Sequence, residues 1–377
     1  MNYKVGIVTL YSNNYNYGAH LQAFALQWAL KSIGVDSEII DYDWNAYYKP
    51  DAIDKNPSRT IKGFFKNIYS NILYGSKFKS RKDAFDSFDK HNIKISSQKY
   101  DARNIEKANI VYDAFVTGSD QVWRLIDRDP KANDAFLLNF TNKIKMSYAA
   151  SIGLDHISEE LSIVFKNALS SIDYVSVRER SGNELLSKIV NRDIETVLDP
   201  TLLLTKEQWN LVKENYSYPN NYIFCYFLSS DERERRFATK LSHELHTPII
   251  SLSHLRVNYR RYDEKFNSIK LYDVSPGKFI SLIENASVVL TDSFHAAVFS
   301  TIYEKEFFVF NRGEKKNSAM INRLKDFLTG TGQGDKLIDS YNDILPLCNT
   351  DFSQARNYIS MEREKSFAFL SQIKYEI

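Results

Sequence analysis

The segment from Leu290 to Phe299 reads Leu-Thr-Asp-Ser-Phe-His-Ala-Ala-Val-Phe. The apolar run over residues 286–290 predicts a strand. Thr291, Asp292 and Ser293 then carry the side-chain oxygens that cap a helix start, and the apolar run from Ala296 predicts the helix. His295 therefore falls on the first turn of a helix, at the carboxyl end of a parallel strand. Open α/β sheets bind ligands there, and the N–H groups of a helix start favour an anion. An imidazole in that position can move protons and touch a negatively charged substrate.

Three other loops offer suitable chemistry. Residues 12–19, Ser-Asn-Asn-Tyr-Asn-Tyr-Gly-Ala, leave a first strand and enter a first helix. Asn13, Asn14 and Asn16 have amides that suit sugar hydroxyls, Tyr15 and Tyr17 have flat faces, and Gly18 lets a ligand approach the backbone. The same residues would also make an ordinary polar turn. Residues 117–124, Thr-Gly-Ser-Asp-Gln-Val-Trp-Arg, follow another strand. Asp120 could act as a base or bind hydroxyls, Ser119 and Gln121 could join it on an acceptor, Trp123 could stack a sugar ring, and Arg124 could hold an anion. Alternatively, Ser119 and Asp120 simply cap a helix. Third come Arg178 and Arg180, after a strand over residues 174–177. Guanidinium groups bind carboxylate and phosphate in bidentate fashion. If the strand continued, alternation would point both arginines the same way; the competing reading is a surface ion pair with Glu179.

These loops need a scaffold, and the periodicity supplies one. Strands are predicted at residues 5–10, 37–42, 114–118, 144–151, 174–177 and 195–198, with helices at 18–33, 157–170 and 181–189. A second alternation follows. Strands at 222–228, 248–252, 287–290 and 307–310 are interleaved with helices at 231–246, 276–285, 294–303 and 318–328, and a long helix spans 351–374. The expected fold is α/β, with two doubly wound Rossmann-like lobes facing a cleft: an N-terminal lobe at 1–203, a C-terminal lobe at 204–350 and a terminal helix at 351–377 that packs back on the first lobe. Residues 44–100 break the rhythm and are expected to form an insertion. From Lys55 to Lys82 there are eight cations with only apolar and neutral residues between, and Phe64, Phe65, Ile68, Tyr69, Ile72 and Leu73 interleave at helical spacing.

Composition narrows the class. In 377 residues, 43% hydrophobic and 25% charged residues give a globular chain, and a net charge of +2 supplies no global field for nucleic acid. Two cysteines, Cys225 and Cys348, suggest a reducing compartment. The first residues run straight into a strand, leaving no room for a signal peptide, and no apolar run approaches a membrane span. A cytoplasmic protein is expected. His243-Glu-Leu-His246 lacks the spacing of a zinc helix, and Gly330-Thr-Gly-Gln-Gly334 follows a helix and reads as a C-cap. The chain carries no Walker lysine motif, no dinucleotide fingerprint and no nucleophile elbow.

Taken in order, Asn16-Tyr-Gly-Ala-His-Leu-Gln-Ala23, Thr117-Gly-Ser-Asp-Gln-Val-Trp123, Ala149-Ala-Ser-Ile-Gly153, Ser176-Val-Arg-Glu179, Leu198-Asp-Pro-Thr201 and Thr291-Asp-Ser-Phe-His295 resemble the polysaccharide pyruvyl transferase family. The resemblance implies a GT-B-like fold and transfer of pyruvate from phosphoenolpyruvate to two sugar hydroxyls as a cyclic ketal, with no metal or further cofactor. It implies that His295 is the general acid and that Arg178 contacts the donor; from the loops themselves, Ser293, Phe294 and Arg180 are expected beside the donor and Asp120 as the base. The acceptor is then a sugar or lipid-linked oligosaccharide of capsule or exopolysaccharide synthesis, bound by Asn14, Tyr15, Asn16, Tyr17, Gly18, Ser119, Gln121 and Trp123. Many members carry an arginine two residues before the histidine; here that residue is Ser293. A lipid-linked acceptor would give residues 55–82 a role as a peripheral membrane contact, at roughly 1 kcal/mol per cation near anionic headgroups; packing of that helix on its own lobe is the alternative. Two rival functions are a sugar-nucleotide glycosyltransferase, with Glu284 or Glu304 on the ribose, and a non-catalytic carbohydrate-binding protein of a polysaccharide-assembly complex.

Overall fold

The computed structural model describes residues 3–12, 14–44, 61–124, 130–216, 218, 221–253, 261–311, 318–338 and 350–375. The first lobe runs β1 (Lys4–Val8), α1 (Tyr17–Ser32), β2 (Asp36–Tyr42), α2 (Ile61–Asn92), β3 (Ile95–Tyr100), β4 (Ala114–Asp120), α3 (Pro130–Phe136), β5 (Ile144–Ala150), α4 (Glu159–Leu169), β6 (Tyr174–Val177), α5 (Arg180–Ser187) and β7 (Glu195–Thr196). After α6 (Lys206–Asn210), the second lobe runs β8 (Ile223–Tyr226), α7 (Glu232–Leu245), β9 (Ile249–Leu252), α8 (Arg261–Lys265), β10 (Ile269–Leu271), α9 (Pro276–Glu284), β11 (Val288–Thr291), α10 (Phe294–Ile302), β12 (Phe307–Phe310), α11 (Ser318–Gly330) and β13 (Leu337–Ile338). The helix α12 (Ser353–Tyr375) follows.

All strand pairings are parallel. The first sheet has the order β3-β2-β1-β4-β5-β6-β7 and the second β10-β9-β8-β11-β12-β13. Helices cover both faces, so central strands such as β8 (Ile-Phe-Cys-Tyr) and β12 (Phe-Phe-Val-Phe) are buried throughout and lack the alternation of a half-wet strand. Each chain path reverses once, between β1 and β4 in the first sheet and between β8 and β11 in the second. At such a reversal the connecting helices diverge to opposite faces and leave a crevice at the carboxyl ends. The loops after β1, β4 and β11 are among the four singled out from sequence, the fourth being that after β6.

The lobes meet through α1. Its first residue, Tyr17, stacks on Phe279 of α9 with centroids 4.4 Å apart, and its hydroxyl donates to the Val274 carbonyl at 3.1 Å. Such a stacked pair contributes about 0.5–1.5 kcal/mol beyond its buried area. Trp209 of α6 wedges between Phe24 and Phe299, one from each lobe. The helix α12 lies on the first lobe: Ser366 Oγ accepts from the Leu198 N–H at 3.0 Å, and Phe369 packs near Tyr148.

Residues 44–100 are not purely an insertion. Ile95–Tyr100 is the edge strand β3, paired with β2. Its sequence, Ile-Ser-Ser-Gln-Lys-Tyr, is mostly polar because an edge strand keeps much of itself in water. Residues 55–60 of the basic stretch lie outside the described residues. Further along α2, Arg81 is buried, reaches across to the second lobe and donates to the carbonyls of Tyr272, Ser253 and Leu271 at 2.9, 3.2 and 3.3 Å. Lys77 sits over the Tyr272 ring and Lys82 pairs with Asp86. This end of the basic helix straps the lobes together. Arg81 is thereby withdrawn from any lipid surface.

Candidate active site

The site is organised by a carboxylate that follows β7. Asp199 precedes Pro200 and caps a short 3-10 turn, its Oδ1 accepting from the Thr201 N–H at 3.0 Å and the Thr201 hydroxyl at 2.6 Å. Its Oδ2 accepts from Ser119 Oγ at 2.9 Å and from Arg178 Nη1 at 2.6 Å, and lies 3.7 Å from His295 Nε2. The residue is only 2% exposed. Burial alone would raise its pKa; His295 and Arg178 beside it, with the Thr201 hydrogen bond, outweigh burial and hold the carboxyl well below its ordinary range. Asp199 is therefore a fixed negative charge at neutral pH.

His295 is the second residue of α10, after the N-cap Ser293, whose own N–H donates to Thr291 Oγ1 at 3.0 Å. Asp292 accepts from the Leu228 and Ser229 N–H groups at 2.6 and 2.7 Å, which ties the end of β11 to the loop after β8. The imidazole leans across the lobe boundary onto Gly18: a Cβ built there would stand 2.1 Å from its Nδ1. The other edge of the ring is different. Nε2 is buried and has no hydrogen-bond partner in the protein.

Arg178 has the same character. It is buried, its guanidinium carbon lies 4.9 Å from the centroid of Phe294, and its Nη2 is 3.6 Å from Asp120 Oδ1. Its Nε and Nη2 are buried without hydrogen-bond partners. Buried polar atoms are nearly always paired, so three orphaned nitrogens around one carboxylate mark a place where a polar ligand completes the bonding. Asp120 adopts φ 72°, a conformation that non-glycine residues rarely take and that clusters at functional sites. Glu179 completes the group. Burial pushes its carboxyl up, opposed by Arg178 and Arg323 and by a hydrogen bond from Ser151.

The structure brings together Ser119, Asp120, Arg178, Phe294 and His295, with Ser293 buried beside them. It separates others. Trp123 offers no face to a sugar: it is fully buried, its Nε1 donates to the Phe136 carbonyl at 3.1 Å, and its ring meets Phe165. Tyr17 belongs to the lobe interface and is 1% exposed. Arg180 is exposed and does not share the orientation of Arg178, because the strand ends at Val177 and Arg180 opens α5, yet it lines one cavity with Arg178, Asp199 and Phe294. Asn16 spends its side chain capping α1 through the Gly18 N–H. Asn14 Nδ2 donates to the Leu10 carbonyl, Tyr15 packs edge-on against Phe85, and Gln121 lies against Gly153. Asn13 lies outside the described residues. The glycine expected to admit a ligand, Gly18, admits the His295 ring instead. Asp199, Glu179 and Arg323 were not singled out from sequence as site residues; an Asp-Pro pair after a short strand is the only local signal for the first. Among the described residues no group of three or more His, Cys, Asp or Glu side chains could hold a metal ion.

Comparison with known proteins bears on the fold and the family. Solved structures with the same fold include UDP-GlcNAc 2-epimerase from Methanocaldococcus jannaschii, at 13% identity and TM-score 0.53 over 96% of this chain and 92% of that one. A putative UDP-N-acetylglucosamine 2-epimerase from Listeria monocytogenes aligns at 11% identity and TM-score 0.52 over 97% of both chains. S. aureus MnaA, solved with UDP, aligns at 11% identity and TM-score 0.52 over 98% of this chain and 91% of that one. At these identities the likeness is one of fold, and the fold is GT-B-like. No curated protein matches the sequence. The family model for polysaccharide pyruvyl transferase matches residues 16–314, a span that holds Gly18, Ser119, Arg178, Asp199 and His295 alike, and the chain belongs to that family.

Proposed function

We propose that this protein transfers pyruvate from phosphoenolpyruvate to two hydroxyls of a sugar, forming a cyclic ketal in capsule or exopolysaccharide synthesis. The observation that carries the reading is the triangle of His295, Arg178 and Asp199, in which the buried His295 Nε2 and the Arg178 Nε and Nη2 have carboxylates nearby but no hydrogen-bond partner in the protein. The donor is a small dianion or trianion with a carboxylate and a phosphate. Arg178 grips one of them, and the first N–H groups of α10 favour the other.

His295, as imidazolium with Asp199 as its counter-charge, gives the Nε2 proton to the methylene carbon of the donor. The adjacent carbon becomes electrophilic. One sugar hydroxyl attacks it and loses its proton to Asp120, the carbon–oxygen bond to phosphate breaks, and the second hydroxyl closes the ring. One hydroxyl proton replaces the one spent by His295 and the other leaves with phosphate, so the balance is phosphoenolpyruvate plus diol to ketal plus inorganic phosphate. General acid catalysis of this kind contributes on the order of 10²–10⁴-fold. The acceptor is a sugar or lipid-linked oligosaccharide reached from the loops after β1 and β4, and the reaction belongs to the cytoplasmic side of the membrane.

One feature speaks against sugar-nucleotide chemistry. Glu284 and Glu304 close α9 and follow α10, at the opposite ends of the strands, and are paired with Lys213 and Arg356. Incubation with phosphoenolpyruvate and a sugar acceptor should release inorganic phosphate, and a nucleotide sugar should release no nucleotide. Nucleotide release alone would assign glycosyl transfer; sugar binding with neither release would assign a binding role.

A further inference from the structure

We propose that Arg323 of α11 is the second cation of the donor site, binding the donor's other anionic group opposite Arg178. The inference rests on the pyruvyl-transfer reading and extends it. A donor with two anionic ends calls for two cations, and Ser293 brings none to the head of α10.

The buried cations of the described residues can be sorted by where they lie. Arg81 donates to three backbone carbonyls, Lys145 donates to Ser171 Oγ, Arg235 pairs with Asp263 and two carbonyls, and Lys336 pairs with Glu306. None of them touches Phe294. Arg178 and Arg323 do, with guanidinium carbons 4.9 and 5.6 Å from its ring centroid. Arg323 is 6% exposed and comes from the second lobe, whereas Arg178 comes from the first. Both face one buried carboxylate: Glu179 Oε1 lies 3.7 Å from Arg178 Nε and 3.9 Å from Arg323 Nε.

A cavity of about 50 Å³ opens at this point, and Arg178, Arg323, Glu179, Asp199 and Phe294 all line it. Its other carboxylates are Asp326 and Glu362. Asp326 accepts from the Ser181 N–H at 3.4 Å and Glu362 pairs with Lys365. Asp199 is saturated by Thr201, Ser119 and Arg178. Arg180 also lines the cavity but is exposed; the two buried guanidinium groups in it are Arg178 and Arg323, one from each lobe. The donor bound between them cross-links the lobes.

Calorimetry with phosphoenolpyruvate on the full chain tests this. Wild type binds; R323Q is expected to bind roughly 10- to 100-fold more weakly, the range for losing a charge-assisted hydrogen bond, and R323K to recover part of the loss. The double variant R323Q/E179Q separates contact from mere neutralisation of Glu179. If Arg323 touches the donor, the double variant stays weak; if it only balances Glu179, binding returns to the wild-type level and the proposal falls. Wild-type affinity in R323Q, with wild-type binding established, also overturns it while leaving pyruvyl transfer standing. Absence of any wild-type binding overturns the functional reading itself. Melting curves without ligand identify a folding defect in R323Q, in which case R323K and the R323K/E179Q pair carry the same test.

Discussion

Each lobe buries a histidine near the start of a helix that follows a strand at its sheet's reversal, and the two are bonded in opposite ways. His20, in α1, has Nδ1 2.9 Å from Asp89 Oδ1 and Nε2 2.5 Å from the Asn14 carbonyl, and its ring packs on Tyr11 and Phe85. Every polar atom of that ring is used to tie the loop after β1 to α2. His295 in α10 rests one edge on Gly18 and leaves Nε2 unpartnered beside Asp199. Burial is nearly the same, at 3% and 7% exposure, and the elements correspond. A saturated ring holds structure together, whereas a ring with a spare nitrogen has something left to give a ligand.

Three changes would break or sharpen that contrast. The largest effect is expected from Gly18→Ala. A Cβ there collides with the His295 ring, so the imidazole must leave its position and turnover should fall by about 10²–10⁴-fold, as for loss of the acid itself. The check is turnover against melting temperature; wild-type turnover in a folded G18A protein would detach the ring's placement from function.

A second change concerns the carboxylates, which repeat the pattern. Asp199 is saturated and held low. Glu234 is fully buried, takes one hydrogen bond from Ser229 Oγ, leaves Oε1 without a partner, and is pushed up to about 8 by burial and by neighbouring Asp292. The unfolded carboxyl titrates near 4.3. Between these values the folded chain keeps a proton that the unfolded chain has lost, so wild-type stability should decline as pH rises, by up to about 1.4 kcal/mol per unit, and level off above about 8. E234Q has no such proton to lose. Its stability relative to wild type should climb between pH 4.3 and 8 and stay flat below. A difference independent of pH would show that Glu234 does not hold its proton.

The smallest effect is expected from His20→Gln. It forfeits at least one buried hydrogen bond at a cost of about 1–3 kcal/mol in stability. Turnover of the folded protein should stay within a few-fold of wild type. A 10²-fold drop in turnover with unchanged stability would make the two histidines functional equals.

What could be read from the chain follows from which features are local. The boundary between β11 and α10 is written in a run of apolar residues, three capping side chains and a second apolar run, so His295 is placed to within a turn by adjacent residues alone. β12 is legible for the same reason. The site's centre is not local. Asp199 gathers Ser119, Arg178 and His295 from far along the chain, and nothing beside Asp199 announces those partners. Trp123 is the converse case: in a loop after a strand it reads as a stacking platform, yet the Phe136 carbonyl that holds its indole inside is invisible from residues 117–124. Arg81 lies in a run of cations that reads as a membrane contact or as a helix packed on its own lobe, and only the approach of the second lobe's carbonyls buries it. Strand β3 escaped because an edge strand carries little apolar signal.

The central claim is that Nε2 of His295 hands its proton to the donor's methylene carbon. Turnover of phosphoenolpyruvate with a sugar acceptor in deuterium oxide addresses it directly. The account predicts one deuterium in the methyl group of each ketal formed by wild type, and a rate 10²–10⁴-fold lower for folded H295Q. Ketal formed by H295Q at close to the wild-type rate, with the same deuterium content, would contradict it.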